Sequence, residues 1–105
     1  MEEFPENFNR DNLEKELRKN QDKIIQQTRK VFSDSILKQI NEFYRVIILR
    51  FDDKMWKISR FEIIQELLCI HGSLQITTMS GKSFEINVTS DLPQKEIIDC
   101  VVIRF

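Results

Sequence analysis

The chain has 105 residues and a mass of 12.6 kDa, a length that fits one domain. Its 16 basic and 17 acidic side chains nearly cancel and 41 % of residues are apolar, a balance that excludes a disordered charged tail. Two glycines, Gly72 and Gly81, cannot build a dinucleotide fingerprint or a phosphate loop, and one histidine with two cysteines cannot close a zinc site.

The opening residues, MEEFPENFN, are acidic and have neither the cationic nor the apolar region of a signal peptide, so residues 1–9 read as a frayed lead-in. The longest apolar run, Val46-Ile47-Ile48-Leu49, is far too short to span a membrane, and two cysteines do not make a disulfide framework. The expected compartment is the cytoplasm. From Asn9 or Asp11 to about Phe32 the chain forms helix without Gly or Pro. Leu13, Leu17, Ile24, Thr28 and Val31 fall near one face, interrupted by Asn20 and Gln21. So narrow a stripe is expected to lie on another surface, because an isolated helix of this length is marginal in water.

Ser33-Asp34-Ser35 offers a second N-cap, followed by Ile36, Leu37, Ile40, Phe43 and Tyr44 at helical spacing. The β-branched run at 46–48 and the turn-like Asp52-Asp53 then predict a hairpin of 44–51 with 54–58, with a helix to residue 51 as the other reading. Ser59-Arg60-Phe61-Glu62 has the form of a capping box, with Ile58 and Ile63 placed as a hydrophobic staple. Ile63, Ile64, Leu67, Leu68 and Ile70 make the apolar face of that helix, which Gly72 ends.

Residues 74–79 and 83–88 alternate around Ser80-Gly81-Lys82, predicting a second hairpin with Gly81 left-handed. The run LQITTMSGKSFEINVTSDLPQKEII resembles the opening hairpin and helix start of the ubiquitin-like fold over about a quarter of the chain, and it implies a local hairpin with no function attached. Cys100–Phe105 closes the sequence as an apolar strand. The fold class expected is α+β. N-terminal helix or helices pack on a mixed or antiparallel sheet of about four to five strands, with a short capped helix between two hairpins.

Chemistry has few candidate tools. His71 could serve as a general base with Cys69 or Cys100 as nucleophile, but Cys69 and His71 stand two apart on a helix and point to different faces. A helix-capping histidine and two core thiols account for them more simply. Asp52-Asp53 reads as a turn, and no calcium loop is present. The expectation is a protein without catalytic residues, cofactor, metal or small-molecule substrate.

The net charge conceals an uneven distribution. Residues 29–60 carry eight bases against four acids, and residues 61–105 carry three against six. Within RFDDKMWKISRF, basic residues interleave with Phe51, Trp56 and Phe61, the pairing that single-stranded nucleic acid requires. Arg45, Arg50, Lys54, Trp56, Lys57 and Arg60 are therefore candidates for a nucleic-acid surface. The heavy aromatic load and the stripe of Leu13, Leu17, Ile24 and Val31 point instead to protein–protein association, with a homodimer as its commonest form. That association is the leading expectation, and a small RNA- or DNA-binding regulator is the alternative.

Overall fold

The computed structural model describes residues 9–105. Its elements, in chain order, are α1 (Arg10–Asn41), β1 (Val46–Arg50), α2 (Lys57–His71), β2 (Ser73–Thr78), β3 (Ser83–Asn87) and β4 (Ile98–Arg104). The four strands form one antiparallel sheet in the order β1-β4-β2-β3, with helices packed on one face. The α+β class and the strand number agree with the sequence reading. Among the described residues, no helix is long and apolar enough to cross a membrane.

Strand alternation decides which residues enter the core. Ile47 and Leu49 of β1 stand opposite Ile103 and Val101 of β4, Ile76 of β2 lies across from Val101, and Leu74 across from Ile86. All of these join Ile25 and Phe32 of α1 and Phe61, Ile63, Ile64, Leu67 and Leu68 of α2 in one apolar cluster. The other sheet face carries Ile48, Arg50, Cys100, Val102, Gln75 and Thr77 and, among the described residues, has no helix over it. A register shift at Thr77/Thr78 carries Ile98 back into the core cluster.

Four sequence-based expectations change. The helix does not restart at Ser33-Asp34-Ser35: α1 runs unbroken for 32 residues. Ser33 and Asp34 point to solvent, while Phe32 and Ile36 keep the core spacing, so nothing there favours a break. Asn9, expected in the frayed lead-in, is the N-cap and accepts the Asn12 N–H at 3.0 Å. Residues 1–8 of that lead-in lie outside the described residues.

The hairpin of 44–51 with 54–58 does not form, because β1 pairs with β4 from the far end of the chain. Met55 is instead buried beneath α1, where its sulfur accepts the Thr28 hydroxyl at 3.2 Å. The capping box fails as well. The N-cap of α2 is Trp56, Ser59 lies inside the first turn, and Ile58 is exposed rather than stapled to Ile63.

The β2–β3 hairpin forms as expected. Gly81 sits at φ +88° in the turn, and Gly72 at φ +80° ends α2 with its N–H on the Leu68 carbonyl. No helix follows that hairpin, so the ubiquitin-like resemblance ends there. At the outer edge of β1, Gln39 of α1 caps the backbone of Ile48 with both ends of its amide, at 3.3 and 3.4 Å.

Candidate functional site

Helix α1 is far longer than the body it packs on. At 1.5 Å per residue its 32 residues span about 48 Å, which only the 60 Å axis of the molecule can hold. The radius of gyration is 16.8 Å, whereas a compact chain of this size has about 13 Å. The buried residues of α1 are Gln21, Ile25, Thr28 and Phe32, and among the described residues none of the core lies beneath the turns before Gln21. Leu13 and Leu17 project on those turns, each about half exposed.

The four residues of the expected contact stripe do share one side of α1. At 100° per residue, Leu13, Leu17, Ile24 and Val31 fall within about 40° of one another, roughly 75° from the middle of the buried face. Their environments differ. Ile24 is partly buried and packs against the core, while Val31 is 60 % exposed. Beside Val31 a crease of about 270 Å³ opens between α1 and the end of β1, lined by Ile24, Thr28, Val31, Phe32, Phe51 and Arg50 among others. On the opposite flank, a larger apolar groove of about 630 Å³ runs between α1 and α2, with Phe32, Ile36, Leu37, Ile63, Leu67 and Ile70 in its walls. Arg29 spans that groove's rim with a two-pronged hydrogen bond to Glu66 at 2.6 and 3.0 Å. That bond holds its guanidinium protonated even more firmly than usual.

The nucleic-acid candidates do not assemble as expected. Arg60 is only 5 % exposed, and its guanidinium donates to the carbonyls of Met55, Ile98 and Asp52 at 3.1, 2.7 and 3.0 Å. It is a buried brace under the β1–α2 loop, with the Phe51 ring 5.8 Å away, and cannot meet a phosphate. Phe51 and Phe61 are core residues, so only Trp56 of the three aromatics reaches solvent. Trp56 and Lys57 share a shallow cleft with Ile58, Phe61 and Gln94. Arg45 and Arg50 lie at opposite ends of β1, and Arg50 faces Asp99 at 3.4 Å, while Lys54 is an exposed loop residue.

The residues considered for catalysis are also apart. Cys100 is buried on the helix-free side of the sheet, across from Arg50 and Thr77. His71 ends α2 at the rim of the α1–α2 groove, on the other side of that sheet, and Cys69 is exposed.

The bracing roles of two polar side chains escaped the sequence reading. Gln21, which seemed to interrupt the α1 stripe, is buried and binds the Lys54 carbonyl, the Trp56 N–H and the Ser59 hydroxyl. With Arg60 it fixes the loop that carries Trp56. A polar residue placed at core spacing was the available signal. No protein-family model, curated protein or solved structure matches this chain.

Proposed function

We propose that this chain is a non-enzymatic binding protein that acts by association, as a homodimer built on α1. The observation that carries this reading is the overhang of α1, which holds Leu13 and Leu17 half exposed and beyond the core that the described residues build. Three turns of isolated helix are unstable in water, so a second surface beneath them stabilises both helix and stripe.

The stripe supplies its own complement. When two copies of α1 run antiparallel about a two-fold axis at Ile24, each Leu17 stands opposite the other Val31, over the crease beside it. A two-fold contact needs such self-complementarity, because each patch meets its own copy. The globular bodies then sit toward opposite ends of the helix pair, since the core contacts of α1 begin at Gln21. Ile24, half inside its own core, marks the centre of the contact and contributes less than the exposed pairs.

Disulfide trapping tests the register. In a Cys69→Ser background, Leu17→Cys with Val31→Cys gives a covalent dimer under mild oxidation. Leu17→Cys alone gives none, because two copies of residue 17 lie about 21 Å apart along the helix pair. Trapping through Leu17→Cys alone, or failure of the double variant to trap, contradicts the antiparallel dimer.

A further inference from the structure

The turn between α1 and β1 contains a residue that the backbone does not favour. Phe43 donates its N–H to the Ile40 carbonyl at 2.9 Å, and Tyr44 donates to the Gln39 carbonyl at 3.0 Å. Those two bonds define a Schellman ending, in which the first residue past the cap is left-handed and is usually glycine. Here that residue is phenylalanine at φ +66°, and it is 93 % exposed. A bulky side chain in this conformation costs stability, and with its ring in solvent no packing offsets the cost. Among the described residues nothing packs on this ring.

The neighbours of Phe43 point to the kind of ligand. Tyr44 follows it and is more than half exposed. The Arg45 carbonyl accepts the Phe105 N–H at 3.2 Å, and Val46 pairs with Arg104, so the end of β4 lies beside this turn. Phe105 is exposed as well. Arg29 and Arg50 each face a carboxylate, whereas neither Arg45 nor Arg104 has an ion-pair partner among the described residues. Exposed rings and two guanidiniums without ion pairs therefore lie at one end of the β1–β4 pair, Arg45 across from Phe105 and Arg104 on the helix-free face, where it shares a cleft with Glu85; the grouping is hidden in sequence because its halves are 60 residues apart.

We infer that this corner binds single-stranded nucleic acid, with Phe43 and Tyr44 stacking on bases and Arg45 and Arg104 holding the backbone phosphates. Stacking needs open ring faces, and the rings here stand on a protruding turn rather than in a pocket. A duplex hides its base faces from such a turn. An acidic peptide would satisfy the arginines and leave the rings unused. This site rests on no part of the dimer reading and lies apart from the α1 stripe.

Fluorescence anisotropy with a labelled 10-nucleotide oligo-uridylate at low salt tests the inference. The parent protein binds it, and affinity falls with salt at a slope of about −1.4, as two phosphate contacts on a single strand require. Arg45→Glu with Arg104→Glu reduces affinity at least about tenfold, and Tyr44→Ala does so by about tenfold. Phe43→Gly separates binding from folding: it raises Tm by about 5 °C through relief of the left-handed strain, yet weakens binding about tenfold. The inference is overturned if the oligonucleotide is not retained, if Phe43→Gly binds as well as the parent, or if anionic phosphatidylserine vesicles or poly-glutamate are bound in its place.

Discussion

Gln21 on α1 and Ser59 on α2 are joined by a buried hydrogen bond of 2.9 Å across 38 residues of sequence. The same Gln21 oxygen accepts the Trp56 N–H at 3.0 Å, and its amide nitrogen donates to the Lys54 carbonyl at 3.0 Å. One side chain thus ties the long helix, the loop and the short helix together. Gln21→Leu leaves the Trp56 N–H and the Ser59 hydroxyl without partners and lowers stability by about 2–3 kcal/mol in urea unfolding. Ser59→Ala, which leaves the Gln21 oxygen its second donor, costs about 1 kcal/mol.

Arg60 extends the same brace from the other side. Two of its three backbone acceptors, Asp52 and Met55, belong to the β1–α2 loop, and the third, Ile98, opens β4. Arg60→Met preserves volume but strands those carbonyls, and unfolding stability falls by about 3 kcal/mol. Arg60→Lys recovers only part of the loss, because a single ammonium cannot match the planar fork that reaches three separated oxygens.

These two residues show where sequence patterns ran out. The β2–β3 hairpin and the Gly72 stop were legible because each depends on neighbours within a few residues, with Gly81 and Gly72 at the left-handed positions. The partner of β1 was not legible, since it pairs with a strand about 50 residues later. The local pattern predicts a hairpin with residues 54–58, a segment that Arg60 and Gln21 hold as a braced loop instead. Ser59 reads as a cap in isolation and as a hydrogen-bond donor to Gln21 in context. The stripe of Leu13, Leu17, Ile24 and Val31 was visible as a helical face. Which members the core absorbs was not, because only tertiary packing buries Ile24 and leaves Val31 outside.

A surface ion pair gives a dependence on pH. Glu96 accepts from Lys82 at 3.0 Å and from Ser80 at 3.2 Å, tying the 90–97 connection to the β2–β3 turn. The Lys82 hydrogen bond is the main cause that holds the Glu96 carboxyl below its ordinary value. A lowered folded-state pKa stabilises the fold above the unfolded value, and that contribution disappears as pH falls through the folded value. Glu96→Gln is therefore less stable than the parent at neutral pH. The difference narrows as acid protonates Glu96, which urea midpoints taken at pH 7 and at successively lower pH will record.

The dimer built on the α1 overhang is tested most directly by mass in solution. Sedimentation equilibrium of the full chain at tens of micromolar gives a species of twice 12.6 kDa, and Leu17→Glu, which changes a side chain outside the protomer core, converts it to the single-chain mass while the unfolding transition stays cooperative. A parent protein that sediments at 12.6 kDa across the accessible concentration range contradicts the account.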